Sequence, residues 1–218
     1  MGLQQKQRRH IFMGEGRIKN SMRQHKEQTT MKELAHYMEA FASLHTAQTK
    51  GRKAPHKAVL LLAVIDQIEQ GRMPTPYIGL TEELIECFAE IWNRYVGASA
   101  LWRLNICQPY YHMQHESFWR LVERDEVACG RKAEPEKLVG ARKERKDLPR
   151  GGYTVKAMRE AFVYAEMDGA LFGLLQDGKA RAMLRAVLIN TYLTDQPTKT
   201  KPRLDALMAA LPLVTLVA

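Results

Sequence analysis

Between residues 31 and 45 the apolar side chains Leu34, Tyr37, Met38, Phe41 and Leu44 recur at spacings of three and four. That repeat belongs to an amphipathic helix with one buried stripe. A second apolar block, Ala58 to Ile68, contains Val59-Leu60-Leu61-Leu62-Ala63-Val64-Ile65 and is apolar nearly all round. Its length favours a central buried helix over a buried strand. Pro55 stands where a first helical residue tolerates proline. Gly71 closes this helix, Pro74 and Pro76 mark a turn, and Tyr77-Ile78-Gly79-Leu80 suits a short strand. Thr81 reads as the cap of the next helix, with Glu82 and Glu83 favourably placed in its first turn. Its stripe is Leu84, Cys87, Phe88, Ile91, Trp92 and Tyr95.

Residues 97 to 115 read as loop. His112 to Gln114 and Phe118 to Val122 are expected to pair as a hairpin around His115-Glu116-Ser117. Thr154 predicts a helix cap, with Val155, Met158, Phe162 and Ala165 along one helical face. Leu171, Phe172, Leu174 and Leu175 form a short helical piece. Asp177 caps a last helix whose inner face is Ala180, Met183, Leu184, Val187 and Leu188. The expected class is mainly α, with α+β as the alternative: a compact helical bundle carrying a small β-hairpin element. The expected organisation is a basic arm over 1–30, one domain over 31–193, and a linker with a short apolar tail over 194–218.

Composition adds a charge argument. The chain has 218 residues, 45% hydrophobic and 26% charged, with a net charge of +9. That length holds one good core, and the balance is ordinary for a globular protein. The excess of cations implies an anionic partner or a basic surface. Three separated cysteines, Cys87, Cys107 and Cys129, fit neither a disulfide framework nor a zinc knuckle. No apolar run reaches about 18 residues, so no membrane partner is expected. Reduced thiols and the lack of a signal-peptide pattern suit a cytoplasmic protein.

Catalytic motifs are not apparent. Walker A, GxGxxG, HExxH and GxSxG patterns do not occur. His112 and His115 have a spacing that suits metal, but two ligands do not make a site. No metal or other cofactor is expected, and the chain reads as a binder more than an enzyme. The suggestive stretch is Trp102-Arg103, then Gln108-Pro109-Tyr110-Tyr111-His112, with His56-Lys57 and the basic loop Lys50, Arg52, Lys53 elsewhere. Arginine and lysine suit phosphates, and glutamine or arginine suits base edges.

The stretches Ala54-Pro55-His56-Lys57-Ala58-Val59-Leu60-Leu61-Leu62-Ala63, Pro109-Tyr110-Tyr111-His112-Met113-Gln114 and Phe118-Trp119-Arg120-Leu121-Val122 carry a resemblance. So do Tyr164 to Phe172 and Ala180 to Ile189. Together, over roughly residues 32–193, they resemble the sulfur-binding domain of bacterial phosphorothioate-dependent, McrA-like HNH restriction endonucleases. The resemblance implies recognition of double-stranded DNA in which sulfur replaces one backbone oxygen. It implies an apolar sulfur pocket from Pro109, Tyr110, Tyr111, His112, Lys57 and His56. Base reading would fall to Gln108 and Arg103, and phosphate contacts to Lys50, Arg52, Lys53, Arg142, Lys143 and Lys146. Two positions depart from the pattern: Gln108 stands where tyrosine is usual, and His112 where a small residue is expected. The 25 residues after Leu193 contain no histidine. The expectation is therefore a reader that relies on a separate nuclease subunit within a restriction or defence system. An ordinary DNA-binding protein, a metal-dependent nuclease and a protein-interaction module are the alternatives.

Overall fold

The computed structural model describes residues 28–124, 127 and 152–194. Its described part is a mainly helical bundle of seven helices with two small sheets. Helix α1 spans 28–42, and Leu34, Tyr37 and Phe41 form its buried stripe as the spacing predicts. A two-stranded hairpin follows, β1 (Gln48–Thr49) and β2 (Arg52–Lys53). Helix α2 (His56–Glu69) runs through the middle of the core. Its residues Ala58 to Ile65 are all at most 1% exposed, which explains why the block shows no polar face. Pro55 sits just outside the helix as its N-cap. Gly71 ends the turn at φ 69°, a left-handed value that favours glycine.

Strand β3 (Tyr77–Ile78) leads into α3 (Glu82–Tyr95). Thr81 caps α3 by accepting from the Leu84 amide at 3.3 Å. Helix α3 lies antiparallel to α2: Gln67 Nε2 donates to the Glu83 carbonyl at one end, and His56 packs on Trp92 at the other. Helix α7 (Gly178–Tyr192), capped by Asp177 as expected, is also antiparallel to α2. Arg185 pairs with Asp66 and Glu69 near the carboxyl end of α2. At the other end of α7, Tyr192 Oη accepts from the Leu44 amide at 2.8 Å and donates to the Ala42 carbonyl at 3.0 Å. Helix α6 (Gly169–Gln176) is capped by Asp168, whose Oδ1 accepts from the Ala170 amide at 2.8 Å.

Three expectations are corrected. First, residues 107–115 are helical: α4 (Cys107–His112) continues into a 3-10 turn, Met113–His115. Second, His112–Gln114 pairs with no strand. The segment β4 (Trp119–Glu123) pairs instead with β5 (Phe162–Met167). Third, the helix capped by Thr154, α5 (Val155–Ala161), stops before Phe162, and β5 becomes the central strand of an antiparallel sheet ordered β3-β5-β4. An irregularity at Val122/Glu123 hides the alternation of β5. A bulge of this kind shifts the alternation by one residue. The inward residues become Phe162, Ala165 and Met167, and the first spacing of three mimics a helical face. The hairpin expected around residues 115–117 does not form, and a separate one lies at 48–53, in the segment expected to be a basic loop.

Candidate nucleic-acid interface at the amino end of the central helix

The hairpin turn Lys50-Gly51 has φ 52° and 75°. Two consecutive left-handed residues define a type I′ connection, which matches the twist of a tight hairpin. Glycine suits its position; Lys50 occupies one that asparagine or glycine would fill with less strain. The turn lifts Lys50 and Arg52 into solvent, while Lys53 lies half-buried with its Nζ 5.0 Å from the centre of the Tyr192 ring. The Ala54 amide donates to the Ala47 carbonyl at 2.8 Å and closes the hairpin directly in front of α2.

The first two residues of α2 hold a second segment in place. His56 Nε2 lies 2.8 Å from the Arg103 carbonyl. A carbonyl only accepts, so Nε2 carries the proton. The ring packs on Trp92 and Trp102, with centroid distances of 4.7 and 6.0 Å. Burial lowers its pKa, against the opposing pull of the Arg103 carbonyl. The neighbouring Lys57 is only 5% exposed, and its Nζ lies 2.5 Å from Glu116 Oε1. Burial depresses the Lys57 pKa more than Glu116 raises it. Glu116 is buried too, and accepts from the His45 backbone amide at 3.0 Å. Its Oε2 lies 3.2 Å from His45 Nδ1, on a ring side chain that is 74% exposed. Beneath this surface the Trp102 indole Nε1 is buried with no hydrogen-bond partner among the described residues.

Helix α2 begins without a capping side chain and without an acid in its first turn. Its amino end therefore keeps its positive potential. Lys50, Arg52 and Arg103 are exposed around it and make no ion pair with a carboxylate among the described residues. Towards the carboxyl end of α2 the pattern reverses, where Arg181 and Arg185 are neutralised by Asp66 and Glu69. An open groove of about 560 Å³, lined by Arg124, Val155, Lys156, Arg159 and Glu160, is tied to the start of α3 by the Arg159–Glu82 pair. The same segment is also joined to the Arg103 loop, because Asn105 Nδ2 donates to the Tyr153 carbonyl at 3.3 Å.

The residues expected to line a sulfur pocket do not form one exposed patch. Pro109, Tyr110 and Tyr111 are buried in α4. Tyr110 Oη donates to the Ile78 carbonyl at 2.7 Å, and its ring meets Trp119 edge-on at 5.8 Å. Burial holds that phenol well above its usual pKa. Tyr111 packs against Tyr153 and Phe162. His112 is half-buried, 3.1 Å from Tyr153 Oη. Lys57 points inward, and His56 is bound to backbone. Gln108 is exposed, and its amide together with that of Cys107 is capped by Asn105 Oδ1, at 3.2 and 2.8 Å. Lys50, Arg52 and Lys53 lie on the hairpin that precedes α2, and Arg103 is tied to its amino end through His56. Arg142, Lys143 and Lys146, the arm over 1–27 and the tail over 195–218 lie outside the described residues. Cys87 and Cys107 are buried free thiols whose pKa values burial raises, which disfavours the reactive thiolate; Cys129 also lies outside.

No protein-family model and no curated protein matches the chain. That finding corrects what the resemblance implies. Sulfur-binding domain, HNH-endonuclease relation, restriction system and bacterial defence are withdrawn. So are DNA-binding, phosphorothioate and cytoplasmic as inherited properties. The described residues contain no helix long and apolar enough to cross a membrane, which is all that bears on location. Function has to be read from this chain's own side chains.

Two contributors escaped the sequence reading, His45 and Glu116. Glu116 had been assigned to a turn, and its partner Lys57 lies 59 residues away. Glu116 stands in the polar run Gln114-His115-Glu116-Ser117, which does not distinguish a buried carboxylate from a solvated one.

Proposed function

We propose that the chain binds double-stranded DNA through its backbone at the amino end of α2. The observation that carries the reading is the set of exposed cations Lys50, Arg52 and Arg103, on two segments each joined to the amino end of α2 and with no carboxylate partner among the described residues. Phosphate contacts of this kind supply sequence-independent affinity by counterion release. The Lys50 position adds support. A type I′ turn prefers asparagine there, so a cation in left-handed geometry breaks a local rule without a visible structural gain. We assign base-edge contact to Gln108, which is exposed on the first turn of α4 and whose backbone amide is capped by Asn105 next to the Arg103 loop. Partnership with a separate nuclease subunit is the corresponding expectation for cleavage.

A fluorescence-anisotropy titration with a duplex of about 20 base pairs over a series of salt concentrations tests this directly. Arg52→Ala and Arg103→Ala are each expected to weaken binding and to flatten the log–log salt slope by about one unit. A matched duplex with sulfur at one non-bridging position forms the second arm. A preference for it would identify sulfur discrimination, and equal affinity would leave a plain backbone binder. No binding at low salt would overturn the proposal.

A further inference from the structure

Resting on the reading of this face as a DNA-binding surface, we infer that Glu116 and Lys57 form a positioning pair that sets the cationic hairpin and the Arg103 loop in register with α2. Three segments meet on one carboxylate. Glu116 Oε1 accepts from Lys57 Nζ at 2.5 Å and from the His45 amide at 3.0 Å, while Oε2 faces His45 Nδ1 at 3.2 Å. His45 lies two residues before Ala47, where the hairpin closes. Glu116 ends the turn that follows α4, and Arg103, near the other end of that stretch, is held by His56. Adjacent residues at the start of α2 thus grip both ends of 103–116, and the same carboxylate anchors the approach to the hairpin.

The chemistry fits positioning better than contact. The Lys57 side chain is 6% exposed and its ammonium is occupied by Glu116, so it has no free face for a phosphate. A buried ion pair seldom stabilises more than an apolar pair of the same volume would. What it adds is geometry, because only one arrangement satisfies both charges. Here that arrangement decides where Lys50, Arg52 and Arg103 stand relative to one another. Such spacing matters to a ligand with evenly spaced charges and matters little to the core.

The test replaces both partners with apolar residues, Lys57→Met with Glu116→Leu, in the full chain. The double variant is expected to keep a cooperative unfolding transition. Amide hydrogen exchange over residues 44–54 and 103–117 is expected to accelerate about tenfold or more. Duplex affinity is expected to fall about tenfold with an unchanged salt slope, because no phosphate contact is removed. Unaltered exchange in both segments overturns the inference. So does a slope flatter by about one unit, which would assign Lys57 to a phosphate. If the double variant does not fold, His45→Ala on the exposed ring serves instead, and faster exchange confined to 44–54 is expected; unchanged exchange there overturns the positioning role. Should the wild-type chain bind no duplex, the DNA reading falls, while the exchange measurement still decides the positioning pair.

Discussion

Glu116→Gln removes one charge from a buried pair and leaves the other in place. Lys57 and Glu116 are 6% and 5% exposed at their side chains, with N and O 2.5 Å apart. Stripping one partner from such a pair costs about 3–5 kcal/mol, because the remaining ion stays desolvated and uncompensated. The lower end, about 3 kcal/mol, applies here. His45 on the other side of Glu116 is 74% exposed, and water can approach by that route. For a chain of this size the loss corresponds to a melting point lower by roughly 6–12 °C. Urea unfolding followed by circular dichroism reads the free energy directly, with an unchanged denaturant slope as the sign that the variant unfolds from the same native state. The pH dependence supplies a second reading. Burial depresses the Lys57 pKa in the folded chain, and Glu116 alone opposes that shift. Without the carboxylate the folded-state pKa falls further below its unfolded value. Between those two values the unfolded chain binds more protons, so stability rises with pH. The deficit of Glu116→Gln should therefore shrink as pH rises towards the unfolded lysine range. A loss below about 1 kcal/mol would place the pair in effective contact with water, and a deficit that does not change with pH would refute the role given to Lys57.

Other outcomes are expected from the same packing. His56 has a folded pKa below its unfolded value, through burial, so its contribution is complete above the unfolded histidine range and is lost as pH falls through the window beneath it. His56→Gln should flatten the wild-type fall in melting temperature on acidification below about pH 6.5; an identical acid profile would contradict the assignment. Leu61→Ala removes a side chain that is 1% exposed in the middle of α2 and should cost about 2–5 kcal/mol in chemical denaturation. A cost under about 1 kcal/mol would argue against a packed core there.

Much of the frame was legible from short-range signals. The stripe of α1, the apolar block Ala58–Ile65 of α2, the Thr81, Thr154 and Asp177 caps and the stop at Gly71 all stand where the spacing put them. Their causes act within one or two turns of chain, so a linear reading captures them. The candidate site was legible only in part. The cations at 50–53 and Arg103 could be named because charge is written in the residue type, although its exposure is not. Pro109 and its tyrosines could not be placed, because a short helical turn and a loop of the same composition look alike until a partner buries one face. The loss of the 112–122 hairpin and the appearance of β5 have a related cause. Strand pairing joins Trp119 to Met167 across 48 residues, and the bulge conceals the alternation that would have announced it.

The sequence by itself determined a basic, mainly helical chain, with the positions of its central helix and caps, because hydrophobic period and capping chemistry are local. Tertiary structure alone decided which charges are spent and which remain. Lys57 and Arg103 are both single cations in the sequence. Packing closes one over Glu116, 59 residues away, and leaves the other exposed at the amino end of α2. Burial makes a charge find a partner, and that partner is set by how distant segments fold together.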